Sequence, residues 1–133
     1  MEMQELILSS LEQVSDRLGD IAPLVYEHYY QLQPGAEDLM AHLDDIPKGK
    51  MMTEVMRLIM VEDFADEDQY LSFEMKTHAE SYSVTPDMYE SLLMAVHSVV
   101  KQGLGADWSD DLAVAWQSRL ADVQTAVQTH LPA

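Results

Sequence analysis

The sequence predicts an all-α fold, on three observations. Apolar residues recur at three- and four-residue spacing along most of the chain. Alternating valine or threonine runs and Asn-Gly hairpin turns are absent. Glycine, proline and Ser/Asp punctuation divides the chain into segments of helix length. With 133 residues, 47% of them hydrophobic, the chain can bury one core but not two, and it reads as a single domain over 1–133.

Each element has its own signal. Leu6, Ile7, Leu11, Val14 and Leu18 form a first apolar stripe that Gly19-Asp20 ends. Ile21, Leu24, Val25, Tyr29 and Leu32 form a second, stopping at Gln33-Pro34-Gly35. A short helical turn then carries Leu39, Met40 and Leu43. Asp44-Asp45-Ile46-Pro47 reads as a breaker, and from Lys48 a dense stripe runs through Met51, Met52, Val55, Met56, Ile59 and Met60. The acidic run Glu62 to Asp68 lacks the alternating ligands, central glycine and distal glutamate of a calcium loop, so it reads as a solvated corner with Phe64 tucked in. Tyr70 to Tyr82 is expected to be helical and to carry His78. Thr85 suits an N-cap and Pro86 a first helical position. The helix they open is expected to run to Lys101, with Tyr89, Leu92, Leu93, Val96, Val99 and Val100 inward, and to end at Gly103-Leu104-Gly105. Ser109-Asp110-Asp111 caps a last helix whose apolar surface comes from Leu112, Val114, Trp116, Leu120, Val123 and Val127.

Composition narrows the function. Twenty-four acidic against 7 basic residues give a net charge of −17. So little basic surface excludes nucleic-acid binding, and an anionic membrane surface would repel the chain. No window of about 18 uninterrupted apolar residues exists to span a bilayer. The acidic N-terminus is unlike a signal peptide, and with no cysteine for disulfides the expected location is the cytoplasm. Lacking cysteine, the chain can hold a cofactor only non-covalently. No nucleophile motif, phosphate loop or His/Cys metal cluster speaks for a hydrolase.

His78 is the candidate for chemistry because of its setting. The run His78-Ala-Glu-Ser-Tyr82-Ser-Val84-Thr-Pro86-Asp-Met-Tyr89 ends a helix, turns Val84 inward and opens the next helix. A histidine one turn before a helix end, followed by such an apolar residue and aromatic, resembles the proximal-histidine segment of globins, where it ligates haem iron. Val25-Tyr26, Tyr29-Tyr30, Pro34 and Leu39-Met40 are similar in order and spacing to the second and third helices of bacterial single-domain globins and of the globin half of flavohaemoglobins. Gln102 to Trp108 and Ser109 to Trp116 resemble that family's last turn and last helix.

The resemblance implies a globin fold of about six to eight helices in a three-over-three sandwich, holding haem b. His78 takes the iron, and Tyr26 the place of the distal tyrosine that hydrogen-bonds dioxygen. Met52, Val55, Tyr82, Val84, Tyr89 and Leu93 fall where the family lines its cofactor. Lys76 lies in the stretch from 48 to 76 that holds four of the seven basic residues, where a globin supplies cations to the propionates. Met40 replaces a stacking phenylalanine with a flexible thioether. The distal gate is Lys48 if the register is counted back from His78, or Met51 if it follows the apolar stripe. The tail from Gln128 offers no glutamate to make the histidine more basic, so His78 is expected to be an ordinary ligand. His28, His42 and His130 read as surface residues, and His97 as packed or solvated.

Reversible binding of a diatomic gas (O2, NO or CO), as in oxygen binding or transport, is the implied function. Nitric-oxide dioxygenation is implied only with a separate reductase as partner, because no Gly-rich dinucleotide fingerprint occurs in the sequence. The alternative is a globin-fold gas or redox sensor, or an interaction module with weak or no haem binding. Either a monomer or a homodimer suits the sequence.

Overall fold

The computed structural model describes residues 3–41, 45–60, 71 and 86–129. Among them are α1 (Met3–Leu18), α2 (Ala22–Leu32), α3 (Pro34–Met40), α4 (Asp45–Met60), α5 (Pro86–Leu104) and α6 (Asp110–Thr129), with a 3-10 turn at Gly105–Asp107 and no strand.

Helix α1 buries Ile7, Ser10 and Val14, the i, i+3, i+7 spacing of one helical face. Gly19, at φ 73, closes it. Pro34 stops α2 and, lacking an N–H that the first turn could not use, opens α3 directly. Two boundaries differ from expectation. The stretch Asp45-Ile46-Pro47 is the first turn of α4 rather than a breaker, because proline costs a helix nothing where the amide has no intrahelical acceptor. Helix α5 continues through Gly103 and ends at Leu104, with Gly105 at φ 52 taking the left-handed position that glycine adopts freely. Gly103 serves packing instead: a Cβ there would stand 3.1 Å from Leu18 Cδ1 and 3.2 Å from Val14 Cγ2. Ser109 caps α6 as its sequence suggests, accepting the Leu112 N–H at 3.1 Å.

Helix α5 is the axis of the fold. It packs on α1, α2 and α6, while α1 also meets α6 and α4, and α4 meets α2 and α6. The core includes Ile7, Val14, Val25, Ile59, Leu71, Val96, Val100, Leu104 and Trp116, all sealed from solvent. Burying each such side chain contributes roughly 1.5–3 kcal/mol. Leu18, Leu24, Leu32 and Val114, expected in apolar stripes, are exposed: Leu18 and Leu32 are the last residues of their helices, and Leu24 and Val114 lie on the side of the helix opposite its buried residues.

Polar side chains join the helix ends. Arg17 donates to the carbonyls of Gly103 (3.2 Å) and Leu104 (3.0 Å) and pairs with Asp107, placing a cation at the negative end of α5. Arg119 of α6 donates to the carbonyls of Ile59 and Leu58, and Gln4 of α1 donates to that of Met60 (2.7 Å). Three carbonyls at the end of α4 are thereby satisfied from other helices.

Candidate functional site

Tyrosines at 26, 29 and 30 put three phenols within one and a half turns of α2. Tyr26 is 5% exposed and Tyr29 6%. The Tyr26 and Tyr30 rings stack with centroids 6.1 Å apart, and Tyr29 and Tyr30 tilt together at 5.9 Å. Burial, then the neighbouring Tyr30 and Tyr29, raise the Tyr26 pKa far above the ordinary phenol value. Tyr29 is pushed up to about 12 by burial, Tyr30 and Asp87. Both are therefore neutral hydrogen-bond donors at any physiological pH.

The Tyr26 hydroxyl donates to the Lys48 carbonyl at 2.8 Å. That carbonyl belongs to the first turns of α4, where the helical pattern also gives it the N–H of Met52. The Lys48 ammonium lies over the Tyr30 ring, 5.8 Å from its centroid. Tyr30 in turn directs its hydroxyl to the Met40 sulfur at 3.9 Å. Residues 26, 40 and 48, each singled out from the sequence, thus form one connected group through Tyr30.

Met52 is buried at 4% exposure and Met40 at 8%, while Met51 and Val55 are partly buried against the core. The Lys48 backbone meets Tyr26, and Met51 lies nearly one turn further along the same helix. Leu93 is buried and Tyr89 half-buried, one turn apart on α5, the helix on which α2 packs. Gln33 at the end of α2 donates to Asp87 (3.0 Å) and Ser91 (3.1 Å) and fixes that end of α5. His78, Lys76, Tyr82 and Val84 lie outside the described residues, as do His42 and His130.

Two features were not read from the sequence. Tyr30 links Lys48 to Met40, and its signal was the Tyr26/Tyr29/Tyr30 spacing on one helical face. His28, expected at the surface, is half-buried. His97 is packed edge-on against Trp108 (5.3 Å) and Trp116 (6.5 Å). Among the described residues no group of His, Cys, Asp or Glu gathers that could hold a bare metal ion. None of their helices is long and apolar enough to cross a membrane.

The arrangement sets the Tyr26 hydroxyl, with those of Tyr29 and Tyr30 beside it, in a helical fold with α4 on one side and α5 on another. Such a wall suits a small, neutral, polarisable ligand or a flat apolar cofactor. A family model described as Globin matches residues 23–127. Comparison with curated proteins gives no match.

Proposed function

The chain belongs to the globin family, and we propose on that basis that it is a haem protein that reversibly binds dioxygen or another diatomic gas. Tyr26 is the observation that carries the reading: a buried phenol kept neutral and turned toward the first turns of α4, the helix that carries Met51, Met52 and Val55. A buried hydroxyl in such surroundings needs an acceptor, and the Lys48 carbonyl serves as one until a ligand takes its place.

The described residues fit a haem. Met40, Met52 and Leu93 are buried apolar side chains, Val55 and Tyr89 add partly buried ones, and the donor set is a hydroxyl rather than a carboxylate cluster. In this reading His78 would hold the iron, Tyr82 and Val84 would line the cofactor, and Lys76 would supply a cation to its propionates. Haem, when bound, supplies an iron site with reversible affinity for diatomic gases.

This chain's own residues set what happens to the gas. Tyr26 holds its proton and donates it; a polarised ligand accepts the stronger, charge-assisted bond. Turning to that ligand strands no group, because the Lys48 carbonyl keeps the Met52 N–H. The apolar neighbours exclude water, which would otherwise compete for the hydroxyl. Oxidation of nitric oxide to nitrate, with dioxygen as the oxidant, would leave the site one electron short after each turnover; a separate reductase would have to return that electron, and the net charge of −17 favours a partner with a basic docking face.

Purified protein supplied with haem should be red, show a Soret band and take up carbon monoxide. His78→Gly should lose the spectrum, and added imidazole should restore it by filling the cavity. A protein that takes up no haem would overturn the reading as a whole. An unaltered spectrum in His78→Gly would overturn the assignment of His78 alone.

A further inference from the structure

Helix α5 ends at a groove that gas binding does not use. Ser98, Lys101 and Gln102 follow at three- and four-residue steps along one face of α5, and Gly105 continues that face past its end. With Trp108 they line a groove of about 520 Å³. We propose that this groove binds a small planar aromatic carboxylate, its ring against Trp108 and its carboxylate at Lys101. The proposal does not rest on haem, since the groove begins more than a turn beyond Leu93, the last candidate cofactor residue on α5.

Charge singles this groove out. The chain carries 24 acidic against 7 basic residues, yet among the described residues the lining holds one cation and no acid. Asp107, next to Trp108, is engaged by Arg17, and Asp110 and Asp111 open α6 without lining the groove. The side chains of Ser98, Lys101 and Gln102 make no hydrogen bond or ion pair with another described residue. A hydroxyl, an ammonium and an amide are therefore left to donate, and a carboxylate accepts most strongly from the ammonium. Burial, then the Lys101 charge, lowers the His97 pKa, which puts the ammonium on the His97 side of α5. His97 in turn stands edge-on to Trp108 at 5.3 Å, so cation and indole flank the same stretch of groove.

Trp108 supplies a fixed aromatic wall. Its backbone N–H donates to the Gly105 carbonyl at 3.1 Å, and the His97 edge packs on its half-buried ring. A flat ring gains a stacking contact with an indole that an aliphatic ring does not. Gly105 keeps the space beside it open, because even a Cβ built there meets nothing within 4 Å. The volume lies in the range of small-molecule sites and suits one or two fused rings.

Naphthoate is the probe, with neutral naphthamide and non-aromatic cyclohexanecarboxylate as controls. Calorimetric titration of the purified protein should show saturable binding of naphthoate. Naphthamide should bind roughly tenfold more weakly or worse, the usual difference when a hydrogen-bonded charge is lost. Cyclohexanecarboxylate should also bind more weakly than naphthoate. Lys101→Met keeps the apolar stem of an exposed residue, so the fold should hold while naphthoate falls to the affinity of the amide. Heteronuclear NMR should show the Trp108 indole N–H shifting with ligand, while that of Trp116, held by Ser10 in the core, stays in place. Absence of saturable binding, equal affinities for naphthoate and naphthamide, or unchanged affinity in Lys101→Met would each overturn the site. A shift at Trp116 without one at Trp108 would put the ligand in the core and overturn it too.

Discussion

The Tyr26 hydroxyl and the Lys48 carbonyl, 2.8 Å apart, join α2 to α4 through an oxygen that α4 already uses for its own helical bond. Tyr26→Phe therefore deletes a buried hydrogen bond without orphaning its acceptor. Denaturant unfolding should show a loss near the usual net value, about 0.5–1.5 kcal/mol. The same geometry moderates the effect on gas. A charge-assisted bond to dioxygen is worth about 1.5–3 kcal/mol, and giving up the Lys48 bond offsets roughly 1 kcal/mol of it. Dioxygen release should speed by roughly 3- to 30-fold, with carbon monoxide changing less because it is less polarised. Equal changes for both gases would mean that Tyr26 only packs.

Trp116 and Ser10 form the deepest polar contact among the described residues. The indole Nε1–H donates to Ser10 Oγ at 2.9 Å, and the serine passes its own hydrogen to the Ile7 carbonyl at 2.7 Å. Trp116 is fully buried and Ser10 is 1% exposed, so water cannot replace a missing partner. Ser10→Ala should cost about 1–3 kcal/mol, the price of a stranded indole donor. Differential scanning calorimetry checks it. A variant as stable as the parent would show that the indole finds another acceptor.

Arg119 ties the end of α4 to α6 through the Leu58 and Ile59 carbonyls. Burial lowers the guanidinium's pKa while Asp122 acts in the opposite sense, and the group stays charged at neutral pH. Arg119→Met keeps the apolar stem and removes both donors, so amide exchange should quicken in the last turn of α4 before the rest of the helix. Arg119→Lys should rescue only part of that protection, since an ammonium lacks the planar fork that serves two carbonyls. Uniform exchange along α4 would argue against a local anchor.

Local spacing explains which of these features could be read in advance. The α1 stripe, the Ser109 cap and the Pro86 start are encoded within a turn or two of sequence, and the structure follows them. Tyr26 was marked as a site residue for its place in the resemblance, and it is buried with its hydroxyl engaged. Pro47 was misread because a proline is harmless where the helix needs no amide, and Gly103 because the neighbouring α1 needs the room there. Lys48 over Tyr30 and Arg119 on the α4 carbonyls join residues 18 to 61 positions apart, and no local period encodes such pairs. Leu24 and Val114 are exposed because they lie opposite the buried faces of α2 and α6, a position that the roughly 100° step per residue already gives them.

His97 gives the fold a pH dependence of definite sign. It is half-buried on α5, edge-on to Trp108 and Trp116, and burial followed by the nearby Lys101 lowers its pKa below the ordinary 6.5. A base whose folded pKa is depressed takes its proton first in the unfolded chain. Stability is therefore lost as pH falls through about 6.5 toward the lower folded value, and the loss levels off once the folded form protonates too. His97→Gln, which cannot titrate, should flatten that limb of the stability curve while leaving the alkaline side unchanged. Urea unfolding at a series of pH values, followed by tryptophan fluorescence, measures it. A variant whose stability falls below pH 6.5 as steeply as the parent's would assign the dependence to other groups.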